Sequence, residues 1–203
     1  MKLIPFYSYG MESNSFLVVS SGQAALIDAG ISAEQVTEAL QKENATLKYV
    51  LLTHGHFDHT ISADKLRDAT GAALLIHEAD AEMLIDAQKS ALAVFFDRYD
   101  TIRPCDRTLK HGDRLTIGSE TLEVIHTPGH SKGSVCYLTN GMLFSGDTVF
   151  AEGFGRFDLY GGSFRELQRS LSGLKELDGK LEIYPGHGQP SELKKALDRL
   201  NFI

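Results

Sequence analysis

Residues 53–59 read THGHFDH and bring three histidines and one aspartate into a single short segment. Neighbouring imidazolium groups repel one another, so this density favours a partner that gains from several nitrogen and oxygen donors at once. Neutral imidazole and carboxylate groups are common ligands of divalent zinc, iron and manganese. The segment therefore predicts a metal site with four candidate ligands, His54, His56, Asp58 and His59.

Short polar loops after other apolar stretches supply further donors. Asp28 follows AALI, and Asp147 follows MLFSG. His130 follows LEVIHTPG, and His187 follows LEIYPG. Strand ends in layered α/β proteins converge at one edge, which is where such proteins bind ligands. We therefore expect these side chains to lie close to residues 53–59.

The number of donors favours two metal ions. One tetrahedral zinc takes about four ligands, which is fewer than the donors available here. Two ions that share one carboxylate would use seven of these donors, and Asp147, alone on its loop, is the natural bridge. The predicted cofactors are two divalent ions per chain, zinc first, with iron or manganese as alternatives. The predicted ligands are His54, His56, Asp58, His59, His130, Asp147 and His187.

Short apolar stretches alternate with segments of helical periodicity, a pattern typical of an α/β protein. Strands are predicted over residues 2–8, 15–21, 23–30, 47–53, 72–77, 133–139, 141–147 and 181–188, with a hairpin over 113–127. Helices are predicted over residues 32–44, 61–71, 78–96, 164–177 and 191–201. No linker or low-complexity segment divides the chain. We expect a single domain over residues 1–203, with two mixed β-sheets flanked by helices in a four-layer αββα sandwich.

Composition and charge disfavour nucleic acid and membranes as partners. The formal net charge of −7 and the lack of a basic block disfavour nucleic acid, because phosphate binding needs a basic face. No stretch approaches the roughly 20 apolar residues that a membrane-spanning helix needs. Pro5 interrupts the N-terminal apolar run, which is untypical of a signal peptide. We expect a cytoplasmic protein with a small-molecule substrate and no membrane partner.

The motifs LIDAG, THGHFDH, TPGHSKGS, SGDTVF and YPGHG together resemble those of the metallo-β-lactamase superfamily, in its glyoxalase II-like branch (hydroxyacylglutathione hydrolase-like). The resemblance covers nearly the whole chain and implies the αββα sandwich. It implies that the first metal is bound by His54, His56, His130 and Asp147. It implies that the second metal is bound by Asp58, His59, Asp147 and His187. Asp28 matches a supporting position beside the site and is not expected to be a ligand.

The resemblance also implies a reaction. Members of this branch hydrolyse thioesters such as S-lactoylglutathione, and Asp58 would be the catalytic carboxylate that orients the attacking water. True β-lactamases of the superfamily commonly have cysteine or serine where Asp147 stands, and they are exported, so this chain matches them less well. Full glyoxalase II also has a C-terminal helical domain, which this chain is expected to lack.

Two alternatives on the same scaffold stay open. A persulfide dioxygenase would use one iron, held by His54, His130 and Asp147. A lactonase or another acyl hydrolase would use the same centre on a different bond. Residues 153–163, GFGRFDLYGGS, resemble a G-R-x-D segment of the glyoxalase II-like and persulfide dioxygenase proteins. Arg156 would either bind an anionic substrate or form a local salt bridge that shapes this loop.

Overall fold

The computed structural model describes residues 1–200, and within that range the strands form two six-stranded sheets and one short ribbon. The first sheet contains, in spatial order, β1 (Lys2–Phe6), β2 (Ser15–Ser20), β3 (Gln23–Ile27), β4 (Thr46–Leu51), β5 (Ala73–His77) and β6 (Arg107–Leu109). The first three strands pair antiparallel, whereas β3 to β6 run parallel. This sheet is therefore mixed, as predicted.

The second half of the chain supplies the other sheet and the ribbon. In chain order its strands are β7 (Arg114–Ile117), β8 (Glu120–His126), β9 (Val135–Thr139), β10 (Met142–Gly146), β11 (Val149–Phe150), β12 (Gly153–Phe154), β13 (Glu182–Pro185) and β14 (Ser191–Glu192). The sheet order is β14-β13-β10-β9-β8-β7, and β11 pairs with β12 in the ribbon. The β10–β13 pair is parallel and its neighbours are antiparallel, so the second sheet is also mixed.

Helices cover the outer face of each sheet. The α-helices are α1 (Ala33–Lys42), α2 (Ala63–Thr70), α3 (Leu92–Phe96), α4 (Phe164–Leu174) and α5 (Leu193–Asp198). Two 3-10 helices span Phe57–His59 and Glu78–Ile85. Within residues 1–200, none of the helices has the length and apolar character that crossing a membrane requires.

Three apolar clusters separate the four layers. Val36 of α1 packs with Leu26 of β3 between the first helices and the first sheet. Phe16 and Phe144 meet between the two sheets, with ring centroids 5.5 Å apart. Leu167 belongs to the third cluster, between the second sheet and helices α4 and α5. The layers confirm the predicted αββα sandwich.

Local sequence signals account for several boundaries. Ser32 caps α1 because its side chain accepts a hydrogen bond from the backbone N–H of Gln35, as the capping-box pattern predicts. Asn140 and Gly141 have φ values of 41° and 77° and join β9 to β10 in a tight turn. Both central residues of such a turn need positive φ, so Asn-Gly suits it.

The prediction of one helix over residues 78–96 is wrong. The segment forms a 3-10 helix, then turns, and resumes as the five-residue α3. Asp86 accepts hydrogen bonds from the backbone N–H groups of Gln88 and Lys89, which stabilises a turn in competition with the helix. Ala91 then adopts a left-handed φ of 68°. The strands β6, β11 and β12 were also not predicted, and residues 191–192, predicted as the start of the last helix, form β14 instead. Residues 201–203, which include the end of that predicted helix, lie outside the described residues.

Candidate metal centre

The predicted donors meet at one edge of the sandwich, where the strands that precede them end. Residues 53–59 follow β4, and Asp147 and His187 follow β10 and β13. The candidate ligand atoms form three overlapping groups, and within each group they lie within 4.8 Å of one another. The groups are His54, His56 and His130; Asp58, His59 and His187; and His54, His59 and Asp147. All seven predicted ligands are therefore brought together.

Asp147 lies between the first two of these groups. Its Oδ2 atom is 3.6 Å from Nε2 of His130 and 3.7 Å from Nε2 of His187. Its Oδ1 atom is 3.4 Å from Nε2 of His59. The carboxylate thus reaches imidazoles of both groups, which is the position that a bridging ligand needs.

Outer hydrogen bonds orient the histidines. The Asp28 carboxylate accepts from Nδ1 of His59 at 2.8 Å and from both the backbone N–H and the hydroxyl of Thr53, each at 2.8 Å. Nδ1 of His130 donates to the backbone carbonyl of Arg156 at 2.6 Å. Such bonds fix the imidazole tautomer and leave Nε2 facing the cluster. Asp28 thus has the geometry of the supporting position that the family resemblance implies.

The charge balance of the cluster favours a cation. Burial and the neighbouring imidazoles lower the pKa of His54 well below its usual value and that of His56 to about 3, so both side chains stay neutral. Burial alone would lower the pKa of His59, but carboxylates, Asp28 foremost, raise it well above its usual value. Burial alone would raise the pKa of Asp147, but His59 and further imidazoles hold it far below its usual range. Neutral imidazole and ionised carboxylate are the forms that bind metals, so His54, His56 and Asp147 are already in those forms. The carboxylates around His59 favour a positive charge at that position, which a metal ion would supply in place of the His59 proton.

Buried polar atoms without a partner provide a test of whether a metal fits. Within residues 1–200, three of the four such side-chain atoms belong to this cluster: His56 Nε2, His59 Nε2 and Asp147 Oδ1. Leaving a buried polar atom unpaired costs about 1–3 kcal/mol, so these atoms require an additional partner. Two metal ions that share Asp147 would satisfy all three atoms, one ion at His56 and the other at His59. The nitrogen and carboxylate donors fit zinc, iron or manganese.

Asp80 connects two of the ligand loops and was not predicted from the sequence. Its carboxylate is fully buried and accepts hydrogen bonds from the backbone N–H groups of Gly55 at 3.1 Å and Gly133 at 2.6 Å. It also accepts from the hydroxyl of Ser131 at 2.6 Å. Gly55 lies between the predicted ligands His54 and His56, and Ser131 follows His130. Asp80 therefore fixes the positions of these two ligand loops relative to each other.

Replacing Asp80 with asparagine should weaken metal binding by the His54, His56 and His130 group. The new amide N–H₂ must face one of the N–H or O–H donors that the carboxylate now accepts, which leaves a buried donor unpaired. We expect roughly tenfold lower affinity, the lower end of what outer-shell changes cost. Competition with a chromophoric chelator measures the metal affinity of the variant. Asp86→Asn, at a partly exposed turn position in the same segment, is the matched control. Equal metal affinities in the two variants would contradict the proposed role of Asp80.

A cavity of about 350 Å³ opens onto the cluster. His56, Asp58 and Asp147 line its inner end, and Arg156 lies at its rim. Arg156 forms a bidentate ion pair with Asp158, with N···O distances of 2.7 and 2.8 Å. The predicted salt bridge is therefore present, and the same arginine also borders the cavity. A larger cavity, about 520 Å³, lies between β8 and α4 and contains none of the predicted ligands.

The remaining histidines lie away from the centre. His77 and His126 stack with ring centroids 4.1 Å apart. Burial, with His126 nearby, lowers the pKa of His77 to about 4, so its ring is neutral. Nδ1 of His111 accepts from the backbone N–H of His126. These contacts join neighbouring segments, and none of the three residues belongs to a metal-competent group within residues 1–200.

An αββα sandwich with histidine and aspartate donors at its edge defines a class of metal-binding proteins. Residues 9–187 match the family model described as the metallo-beta-lactamase superfamily. The chain belongs to this superfamily.

Three relatives show the range of similarity. The hydroxyacylglutathione hydrolase of Rhodospirillum rubrum is 33% identical over 170 residues, which cover 83% of this chain and 58% of that protein. The crystal structure of the BLEG-1 B3 metallo-beta-lactamase is 31% identical, with a TM-score of 0.92 over 99% of both chains. The crystal structure of TTHA1623 in a di-iron-bound form is 30% identical, with a TM-score of 0.87 over 98% of this chain and 100% of that chain.

Proposed function

We propose that the chain is a dinuclear metal-dependent hydrolase that cleaves a thioester such as S-lactoylglutathione. The observation that carries the proposal is the position of Asp147, whose oxygens lie 3.4–3.7 Å from imidazoles of both ligand groups. A carboxylate that reaches both ligand groups can hold two ions close together, as a two-metal hydrolytic centre needs. The similarity to a hydroxyacylglutathione hydrolase supports the choice of a thioester.

The proposed ligands divide as the family resemblance implies. His54, His56 and His130 would hold the first ion with Asp147. Asp58, His59 and His187 would hold the second ion with the same carboxylate. Zinc is the proposed metal, and iron or manganese suits the same donors. When bound, two such ions would supply an activated water nucleophile and polarise the scissile carbonyl.

Asp58 is the proposed catalytic carboxylate. It lines the cavity and accepts a hydrogen bond from Nε2 of His187 at 3.1 Å. Burial alone would raise the pKa of Asp58, but His59 and the bond from His187 lower it, so the group is ionised at neutral pH. An ionised carboxylate at this place can orient a water and accept its proton. Arg156 at the rim would bind the anionic carrier of a small thioester substrate.

A second candidate function is hydrolysis of a β-lactam ring. The observation in its favour is the full-length similarity to the BLEG-1 B3 metallo-beta-lactamase. Opening a β-lactam is also a metal-assisted attack of water on a carbonyl carbon. The two candidates therefore differ in substrate and not in the residues that would perform the chemistry.

Metal content and substrate preference together test the proposal. We expect about two metal ions per chain and turnover of S-lactoylglutathione that a chelator abolishes and zinc restores. The value of kcat/KM should be higher for this thioester than for benzylpenicillin. A preference for benzylpenicillin would establish the second candidate instead. One iron per chain, with oxygen consumption on glutathione persulfide, would identify a dioxygenase.

A further inference from the structure

Apolar side chains form a wall of the cavity beside the proposed metal centre. The apolar lining residues are Met11, Phe57, Ala91, Phe95, Phe150 and Leu159. Phe57 immediately precedes Asp58, and the ring of Phe150 lies 6.3 Å from that of His187. The apolar surface therefore begins at the donors themselves, within reach of any group attached to a carbonyl held there.

Phe95 is the most accessible aromatic ring of this wall. It belongs to the short helix α3 and lies against Phe57, with ring centroids 6.2 Å apart. It is nevertheless 43% exposed. An exposed apolar surface that lines a concave site is typical of a ligand-binding groove.

The charged side chain of Arg156, at the rim of the cavity, forms an ion pair with Asp158. The guanidinium of Arg156 covers the Phe95 ring at 5.3 Å and is paired with both oxygens of Asp158. Arg156 and Asp158 are each about half exposed, so this part of the cavity meets water. A departing thiolate is charged and gains from contact with water. The thiol carrier of a thioester is therefore best placed at the rim, with its acyl group against the apolar wall.

We propose that the substrate carries an apolar acyl group, aromatic or branched aliphatic, and that Phe95 determines this preference. The proposal rests on the thioester hydrolysis proposed above and names the acyl group that it would act on. Burying an apolar group against aromatic rings removes its surface from water, whereas a lactoyl group offers little surface to bury. The wall would therefore favour a phenyl-bearing acyl group over a methyl-bearing one.

The test compares S-mandeloylglutathione with S-lactoylglutathione, which share the thiol and the α-hydroxyl group and differ in a phenyl for a methyl. We expect kcat/KM for the mandeloyl thioester to be roughly tenfold higher, and Phe95→Ala to remove most of that ratio. Phe95→Leu should keep part of it. Val94→Ala is the control, because Val94 lies on the same helix, is 57% exposed and does not line the cavity. Because both substrates share glutathione, a changed contact with Arg156 cancels in the ratio.

Binding of the acid products gives a second readout. Calorimetry should show mandelate binding to the metal-loaded protein more tightly than lactate, with the difference lost in Phe95→Ala. A ratio near one in the unmodified protein, or equal loss on both thioesters in Phe95→Ala, overturns the proposed preference while the thioesterase function stands. Absence of turnover on every thioester overturns the proposed function, and this inference with it.

Discussion

Replacing Asp147 with alanine should deplete both metal positions and lower kcat/KM by more than about a hundredfold. The estimate follows from the cost of removing an outer partner of a ligand, which is about 10–100-fold in metal affinity or activity, because a direct shared ligand must cost more. Asp147 lies within 3.4–3.7 Å of imidazoles from both groups. Native mass spectrometry of the metal-loaded protein would show the loss as a shift from two ions towards none.

His187→Ala is the comparison that distinguishes loss of one metal position from loss of both. His187 approaches Asp58 and Asp147 but belongs to none of the groups that contain His56 or His130. Its removal should therefore deplete mainly the second position and leave about one ion per chain. If His187→Ala and Asp147→Ala lose metal to the same extent, Asp147 is not a bridge and the proposed division of ligands is wrong.

The donors of the centre were predictable from the sequence because each follows an apolar stretch. Parallel neighbours such as β3 and β4 end at the same edge, so Asp28 and residues 53–59 must lie side by side there. The β10–β13 pair is also parallel and brings Asp147 beside His187 in the same way. The alternation of apolar stretches with helical segments predicted the layers, and the position of each donor after an apolar stretch predicted that the donors would meet. The strand order that brings them together was not predicted.

Residues that act through long-range contacts could not be anticipated. Asp80 sits in a segment with helical periodicity, where an aspartate is usually exposed. Its partners Gly55, Ser131 and Gly133 lie 25 to 53 positions away along the chain. A local sequence pattern cannot predict contacts between residues so far apart along the chain. The same segment misled the helix prediction over residues 78–96, because Asp86 and Ala91 form a turn that periodicity does not reveal.

The role of Arg156 could not be decided from its spacing in the sequence. An arginine two positions before an aspartate permits both a local ion pair and a free guanidinium, and the structure shows the pair with Asp158. The pair uses Nε and Nη2, whereas Nη1 makes no hydrogen bond within residues 1–200. A guanidinium carries five N–H groups, so one edge remains available for a substrate carboxylate. Loop shaping and anion binding are therefore compatible in this structure.

Arg156→Ala should raise KM for a glutathione thioester by roughly ten- to a hundredfold and change kcat little. Losing a charged hydrogen bond costs about 1.5–3 kcal/mol, and a contact present in both ground and transition states appears in KM. A neutral thioester of the same acyl group should be nearly unaffected. Asp158→Ala separates the two roles, because it breaks the ion pair and leaves the guanidinium in place. If both variants impair the charged and neutral substrates equally, Arg156 acts by bracing its loop, and its proposed contact with the substrate is lost.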